Sequence, residues 1–283
     1  MPAGGEVVTT VQRVDLGPHA SLSDWVAATP AREGLIRLVL LDVDGCLTDG
    51  EASRLDIPAL QLIAALNQRA LEEPDLPAIT LCTGRQAPYV ELLCQAIGTF
   101  VPAIWETGAG LFDPIGYRFL RHPLMSDERL AAFEAIKGLI WERVEAPGLA
   151  RRQPGKDLSL SLYPTTGTSV DQLYEAVAGL VEPFGEHYGV HRLLSCVEAT
   201  PRGIDKGAGA RWLCELTGLR LENMVGIGDQ TPDLSYLSIV AAAAVPANAT
   251  PDLRAMADYV APRRSSQGVL DILNWVVARN RAT

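Results

Sequence analysis

A nearly continuous apolar run, LIRLVLLDV at 35–43, constrains the fold of this chain more than any other segment. Such a run is typical of a parallel β-strand that is buried on both faces. It leads into Asp42-Val43-Asp44-Gly45, which places two carboxylates at the carboxyl end of the strand. Ligands bind at this end of strands in wound α/β sheets, so the two acids are candidates for a functional site. An ordinary acidic turn is the simpler alternative for this stretch alone.

Strand patterns alternate with helix patterns in two parts of the chain, 35–115 and 198–283. Helical spacing of apolar residues alternates with short apolar runs that end near glycine or proline. This alternation predicts an α/β fold with a doubly wound, Rossmann-like parallel sheet. The predicted helices are 57–73, 89–98, 207–218, 232–240 and 269–280, and the predicted strands after the first are 78–84, 100–108, 223–229 and 241–247.

The middle of the chain follows a different pattern. A long helix over 126–146 and a second helix over 170–185 flank LSLSLYP at 158–164, whose alternation is typical of a half-exposed strand. An edge-like strand is expected over 187–199. The pattern predicts a small α+β cap inserted into the core. The predicted organisation is an N-terminal extension at 1–34, a core at 35–115 and 198–283, and the cap at 116–197.

Composition narrows the classes of partner and the compartment. The 283 residues carry a formal net charge of -10 and are 48% hydrophobic, and no basic stripe is present, which argues against nucleic acid as a partner. The five cysteines are odd in number and contain no C-x-x-C pair, so a reducing, cytoplasmic location is expected. No apolar run is long enough to cross a membrane.

Two later segments carry groups that suit a phosphate. Thr83-Gly84-Arg85 follows the second predicted strand and offers a hydroxyl, an unhindered backbone amide and a cation. Lys206 lies at the start of a predicted helix, where a cation opposes the helix dipole and implies a nearby anion. Each signal is weak alone, since glycine is common at strand ends and most lysines are solvated.

A third segment carries two more acids. Asp229 and Asp233 in GIGDQTPDL follow a predicted strand, with no cluster of histidine or cysteine nearby. Oxygen ligands of this kind favour a hard cation such as Mg²⁺. As a lone residue, Asp233 could equally be an ordinary helix cap.

Taken in order, DVDG, TGR, Lys206 and GDQTPD resemble the four motifs of the haloacid dehalogenase-like hydrolases, which are phosphotransferases with an aspartate nucleophile. The resemblance covers most of residues 35 to 275. The small middle domain is similar to the cap of the sugar-phosphatase branch, which includes sucrose-phosphate, mannosyl-3-phosphoglycerate and Cof-type phosphatases.

The resemblance implies a role for each motif. Asp42 would attack phosphorus, and Asp44 would protonate the leaving oxygen and then activate water. The implied phosphate-binding residues are Thr83, Gly84 and Lys206. The implied ligands of Mg²⁺ are Asp42, Asp44 through its carbonyl, Asp229 and Asp233. Candidates for contact with the substrate are Arg85, Glu106, Thr107 and Gly108.

Two departures from the family pattern affect the site. Pro232 replaces the asparagine common in the fourth motif, which could weaken metal binding. Thr107 replaces the asparagine of a frequent NGA triplet, so a contact to substrate could differ. In the cap, Arg151, Arg152 and Lys156 form a basic cluster, which we interpret mainly as solvated surface charge; contact with a second anionic group of the substrate is the alternative.

The expected function is therefore a magnesium-dependent phosphatase acting on a small phosphorylated metabolite through an aspartyl phosphate. A sugar or glycoside phosphate is expected, such as mannosyl- or glucosyl-3-phosphoglycerate or a sugar monophosphate. One alternative is a phosphomutase, which Thr83-Gly84-Arg85 argues against; the other is a catalytically weakened phosphometabolite-binding protein, which Pro232 keeps open. A monomer or small homo-oligomer is expected. The exact substrate and the role of residues 1–34 are not readable from the sequence.

Overall fold

The chain alternates strands and helices along most of its length. The structure, a computed structural model, describes residues 14–28 and 32–283. The strands are β1 (Leu38–Leu41), β2 (Ala78–Leu81), β3 (Ala103–Trp105), β4 (Gly110–Asp113), β5 (Arg118–Arg121), β6 (Ala150–Arg152), β7 (Leu160–Pro164), β8 (Tyr188–Arg192), β9 (Val197–Pro201), β10 (Met224–Ile227), β11 (Ala242–Val245) and β12 (Tyr259–Val260). The helices are α1 (Leu22–Ala27), α2 (Ile57–Ala70), α3 (Ala87–Ile97), α4 (Asp127–Ile140), α5 (Val170–Val181), α6 (Lys206–Thr217), α7 (Leu234–Leu237), α8 (Pro251–Met256) and α9 (Ser265–Ala282).

A five-stranded parallel sheet forms the core, in the order β12-β11-β10-β1-β2. The central strand β1 pairs with β2 on one side and with β10 on the other, and every residue of these three strands is buried. The carboxyl ends of the three strands therefore lie side by side. This α/β architecture with a parallel-sheet core and an inserted cap confirms the predicted fold class.

The third predicted strand, in 100–108, takes a different place from the one expected. Its ordered part, β3, forms an antiparallel sheet with β4 and β5. A single parallel bridge between Cys82 and Ile104 joins it to the chain that follows β2. The strand thus flanks the main sheet without extending it by a full ladder.

The cap contains a four-stranded antiparallel sheet in the order β6-β7-β9-β8, with α4 and α5 packed on it. Phe133 of α4 stacks on Tyr188 of β8 with ring centroids 5.6 Å apart. The edge-like strand expected over 187–199 is confirmed for its first part, since β8 is an edge strand, but the chain reverses after Arg192 and its second part forms the hairpin partner β9. β9 lies inside the sheet rather than at its edge.

Strand pairing bears on where the cap begins and ends. β5 pairs with β4 of the three-stranded sheet, and β9 belongs to the cap sheet as far as Pro201. On this basis we propose a cap of about 122–201, shifted by a few residues from the division drawn at 116 and 197.

The predicted N-terminal extension, 1–34, is described at 14–28 and 32–34, and the rest of it lies outside the described residues. Trp25 of α1 is buried, and its indole donates a hydrogen bond of 2.9 Å to the Ala70 carbonyl. Its ring meets Phe100 edge to face at 5.0 Å. This part of the extension therefore packs on the core. In the described residues no helix is both long and apolar enough to span a membrane.

Candidate active site

Asp42 and Asp44 follow β1 in a loop that turns at Gly45. Gly45 has a φ of +83°, which glycine adopts without strain. A Cβ atom at this position would lie 2.0 Å from the Asp229 carboxylate. Glycine is therefore required both by the turn and by the close approach of the loop after β10, which brings Asp229 to Asp42.

Three acids gather at the ends of β1 and β10. Asp42, Asp229 and Asp233 are buried, and one carboxylate oxygen from each lies within 4.8 Å of the others. Burial, together with the neighbouring Asp233, raises the pKa of Asp42 to about 8. The same two causes raise the pKa of Asp229 to about 7. The positive charge near Asp42 and Asp229 therefore does not offset their burial.

This group fits a hard divalent cation. Asp229 Oδ1 is buried and has no hydrogen-bond partner within residues 14–28 and 32–283. Asp233 differs, because its Oδ2 accepts hydrogen bonds from the Asp229 and Gln230 amides at 2.9 and 3.0 Å. Its Oδ1 accepts from Lys206 at 2.5 Å. Asp42 and Asp229 therefore have the freer oxygens for Mg²⁺, while Asp233 holds the loop and the lysine.

Lys206 is the first residue of α6 and reaches the same acids. Its Nζ lies 2.8 Å from Asp42 Oδ1 and 2.5 Å from Asp233 Oδ1. Burial alone would lower the pKa of Lys206, but the carboxylates of Asp233 and Asp42 outweigh burial and raise it. The side chain is therefore a fixed cation beside Asp42, where a phosphoryl group would gain charge.

The loop after β2 supplies a second set of contacts. Thr83 and Gly84 line the same cavity as Asp42 and Lys206. Arg85 forms a two-point ion pair with Asp44, with Nε–Oδ2 at 2.6 Å and Nη2–Oδ1 at 2.7 Å. Arg85 Nη2 also donates to the Glu51 carbonyl at 2.6 Å. Its main contact is thus with Asp44, whose orientation it fixes.

The three candidates for substrate contact that follow β3 take different positions in the structure. Thr107 lines the cavity. Glu106 does not: its carboxylate accepts hydrogen bonds of 2.9, 2.9 and 2.8 Å from Asp157 N, Leu158 N and Ser159 Oγ of the cap. Burial raises the pKa of Glu106, although these hydrogen bonds and Lys156 oppose the change. Glu106 thus joins the cap to the core through these hydrogen bonds, and its contact with substrate stays a prediction.

Gly108 likewise has a packing role. Its φ is +101°, and a Cβ atom would lie 2.1 Å from the Asp205 carbonyl oxygen. The position therefore lets the chain after β3 approach the start of α6. Contact of Gly108 with substrate likewise stays a prediction.

A cavity of about 350 Å³ lies between core and cap, a size within the usual range for small-molecule sites. The core wall consists of Asp42, Asp44, Gly50, Glu51, Thr83, Gly84, Arg85, Thr107, Lys206, Gln230, Pro232 and Asp233. The cap wall consists of Gln153, Lys156, Ser161, Tyr163, Leu193, Leu194, Ser195 and Glu198. The acidic cluster thus lies next to a partly open cavity of a size suited to a small ligand.

Most of the cap wall was missed from the sequence, and Lys156 was interpreted mainly as solvated. In the structure the Lys156 side chain is 3% exposed and pairs with Glu198 at 3.3 Å. The alternation of LSLSLYP does carry a signal, because Ser159, Ser161 and Tyr163 share one strand face. That face turns to the core: Ser159 bonds Glu106, and the other two line the cavity.

A polar residue near the metal cluster was also missed. Asn248 donates to the Gly45 carbonyl at 2.8 Å and to Asp229 Oδ2 at 3.4 Å. Asn248 thereby gives Asp229 a contact with a side-chain amide, which Pro232 cannot provide. No motif spacing marks Asn248, which follows β11 in a short loop.

Comparisons with known proteins agree with this architecture. The model of the haloacid dehalogenase-like hydrolase family matches residues 167–273. A phosphoglycolate phosphatase of Staphylothermus marinus is 26% identical over 86% of this chain and 98% of its own length. One from Methanothermobacter thermautotrophicus is also 26% identical, over 83% of this chain and 96% of its own length.

Solved structures show the same fold. A crystal structure from Thermoplasma acidophilum aligns with a TM-score of 0.68 at 21% identity, covering 86% of this chain and 98% of the other. A haloacid dehalogenase-like hydrolase from Bacteroides thetaiotaomicron aligns with a TM-score of 0.66 at 16% identity, covering 88% of this chain and all of the other. The chain has the haloacid dehalogenase-like fold with a cap. In the part matched by the family model and in its fold, the chain is similar to haloacid dehalogenase-like hydrolases.

Proposed function

We propose that the protein is a magnesium-dependent phosphatase that hydrolyses a small phosphate monoester through an aspartyl phosphate. The observation that carries the proposal is the contact of Lys206 with Asp42 beside Asp229, at the end of the central strand. The family match and the phosphatases among the relatives support the same reaction class. The substrate is a phosphate ester small enough for the cavity. The first esters to test are sugar phosphates, which the sequence leads us to expect, and phosphoglycolate, which appears in the names of the relatives.

In the proposed reaction, a carboxylate oxygen of Asp42 forms a bond to phosphorus as the bond to the ester oxygen breaks. Asp44 gives its proton to that oxygen, and the alcohol leaves. Water then attacks the aspartyl phosphate and passes a proton to Asp44, which releases inorganic phosphate and restores Asp42. Thr83, the Gly84 amide and Lys206 hold the phosphoryl oxygens in place.

Asp42 and Asp229 would hold Mg²⁺, with Asp233 orienting the loop and the Asp44 carbonyl as the further ligand implied by the family resemblance. The bound cation would neutralise the phosphate charge and favour the ionised form of Asp42. The ion pair between Arg85 and Asp44 fixes the orientation of Asp44, which must reach the leaving oxygen.

The test is phosphate release by purified protein with Mg²⁺ or with EDTA from a broad panel. The panel contains phosphoglycolate, sugar monophosphates, mannosyl-3-phosphoglycerate and p-nitrophenyl phosphate. Release that requires Mg²⁺ supports the proposal, and failure to release phosphate from any member refutes it. Isomer interconversion without free phosphate would instead identify a phosphomutase. Tight binding without turnover at any Mg²⁺ concentration would identify a binding protein.

A further inference from the structure

The cap wall of the cavity contains an ion pair that is largely shielded from solvent. Lys156 Nζ donates to Ser161 Oγ at 2.6 Å and lies 3.3 Å from Glu198 Oε1. Ser161 Oγ in turn donates to Glu198 Oε1 at 2.6 Å. Ser161 and Glu198 are paired across β7 and β9, so the sheet register places both side chains on the same face. The three groups form one hydrogen-bonded cluster that lines the cavity.

The cluster leaves a hydrogen-bond donor on Lys156 and an acceptor on Glu198 next to each other. An ammonium group has three N–H donors, and Lys156 directs two of them to Ser161 and Glu198. Within the described residues, the contacts of Glu198 with these two partners use Oε1, which leaves Oε2 as an acceptor. A hydroxyl both donates and accepts, and therefore matches this arrangement. A carboxylate can only accept and would face the charge of Glu198.

The charged residues that line the whole cavity also disfavour a second anionic group at its cap end. The lining cations are Arg85, Lys156 and Lys206, and each of them contacts a carboxylate of the lining. Glu51 adds a further acid to the wall. A substrate phosphate would meet Lys206 and Mg²⁺ at the core end. A second anionic group at the cap end would meet no cation free of an acid among the lining residues described.

We propose that Glu198 is a specificity-determining residue: it holds Lys156 in an ion pair, excludes esters with a second anionic group, and favours esters whose far end carries hydroxyls. The inference rests on the proposed function for the position of the phosphate. It separates this chain from its relatives named phosphoglycolate phosphatase, because phosphoglycolate carries a carboxylate opposite its phosphate.

The experiment compares sorbitol 6-phosphate with 6-phosphogluconate. These esters share a six-carbon chain and a phosphate, and differ in whether the terminal carbon is a hydroxymethyl group or a carboxylate. Calorimetry on the Asp42→Asn variant measures binding without turnover. We expect sorbitol 6-phosphate to bind at least about tenfold more tightly. Equal binding, a preference for 6-phosphogluconate, or binding of neither ester overturns the inference.

A second variant tests the residue itself. Glu198→Gln, added to Asp42→Asn, removes the charge that holds Lys156, so the ratio of the two dissociation constants should fall at least about tenfold. Glu134→Gln is the matched control, since Glu134 pairs with Lys137 on an exposed face of the cap; its ratio should not change. An unchanged ratio in folded Glu198→Gln overturns the role of Glu198. If that variant does not fold, the ratio of the two dissociation constants in Asp42→Asn alone still decides whether the cavity disfavours a second anionic group.

Hydrolysis by the unmodified protein separates this inference from the proposed function. A preference for sorbitol 6-phosphate in binding, with no phosphate released from any ester, refutes the phosphatase and keeps the specificity. Hydrolysis with a preference for 6-phosphogluconate or phosphoglycolate keeps the phosphatase and overturns the specificity.

Discussion

The two walls of the cavity are built by different means. On the core side, Asp42 and Thr83 of the wall and the neighbouring Asp229 follow three adjacent parallel strands, and the hydrogen-bond ladders of the sheet set their spacing. On the cap wall, side chains come from a loop, from one face of β7 and from the β8–β9 hairpin. The sheet thus fixes the core wall, whereas the cap wall depends on contacts between the two parts of the chain.

The walls also differ in electrostatic balance. Burial and mutual repulsion raise the pKa of Asp42 to about 8 and of Asp229 to about 7, so this wall lacks positive charge. On the cap wall, Lys156 and Glu198 neutralise each other. The core wall is therefore suited to bind a cation and a phosphate. The cap wall is suited to distinguish substrates by their uncharged groups.

The largest expected effect comes from the core wall. Asp42→Asn should lower kcat/KM for any hydrolysed ester at least about 10³-fold, because the amide is not a competent nucleophile. Phosphate release measures this. The control is Asp49→Asn, an exposed aspartate in the same loop that accepts a hydrogen bond from Ser265. Activity of folded Asp42→Asn within tenfold of the unmodified protein would exclude Asp42 as the nucleophile.

The next effect tests the fixed orientation of Asp44. Arg85→Lys keeps the charge but loses the two-point geometry, so kcat for an alkyl phosphate should fall about 10²-fold. With p-nitrophenyl phosphate the fall should be smaller, since its leaving group needs no proton. Arg118→Lys is the control, because Arg118 also donates two hydrogen bonds to one aspartate outside the cavity, both of them to Asp113 Oδ2. An equal fall for both esters would contradict proton transfer by Asp44.

A third prediction concerns the junction between the two walls. Glu106→Ala leaves the Asp157 and Leu158 amides and the Ser159 hydroxyl without their acceptor, and should lower the free energy of unfolding by about 3 kcal/mol. Denaturant titration measures the loss. Glu128→Ala, on the exposed start of α4, should change it by less than about 0.5 kcal/mol. Equal changes in the two variants would contradict the role of Glu106 as a cap anchor.

The smallest effect is a dependence of stability on pH without metal. Asp42 and Asp229 have folded-state pKa values above those of unfolded aspartate, so the folded protein binds more protons from about pH 4 to 8. Stability should therefore fall as pH rises through this range. In EDTA, Tm at pH 8.5 should be about 3 °C or more below Tm at pH 5.5.

Mg²⁺ should reverse much of this loss at pH 8.5, because a bound cation favours the ionised acids. Asp229→Asn should reduce both the pH dependence and the effect of Mg²⁺. Asp24→Asn, at an exposed aspartate of α1, is the control and should change neither. A Tm in EDTA that rises with pH would contradict the raised pKa values.

The core wall could be predicted from the sequence because short motifs and the general rule for parallel sheets are enough to place its acids. Asp42 and Asp44 follow an apolar strand, and parallel pairing brings the ends of such strands together whatever the rest of the chain does. Lys206 was predicted from its place at a helix start, and Asp233 from its place after a predicted strand. The prediction failed at 187–199: no glycine or proline at 190–199 marks a turn, yet the chain reverses after Arg192 and forms two strands.

The cap wall could not be predicted because burial there depends on contacts between distant segments. Lys156 looked like surface charge until Glu198, 42 residues later, was brought beside it by the pairing of β7 with β9. Glu106 looked like a substrate contact because it follows a strand of the core. Only the position of residues 157–159 shows that its carboxylate is already occupied.

The place of β1 in the sheet has a consequence for the order in which the chain acquires structure. Leu38 pairs with Met224, so one edge of this strand stays unpaired during synthesis until β10 has emerged from the ribosome. The cap strands between them pair with one another over shorter separations and can form first. We therefore expect the newborn chain to carry a folded insert on an incomplete core, with β1 most prone to aggregation until β10 has emerged.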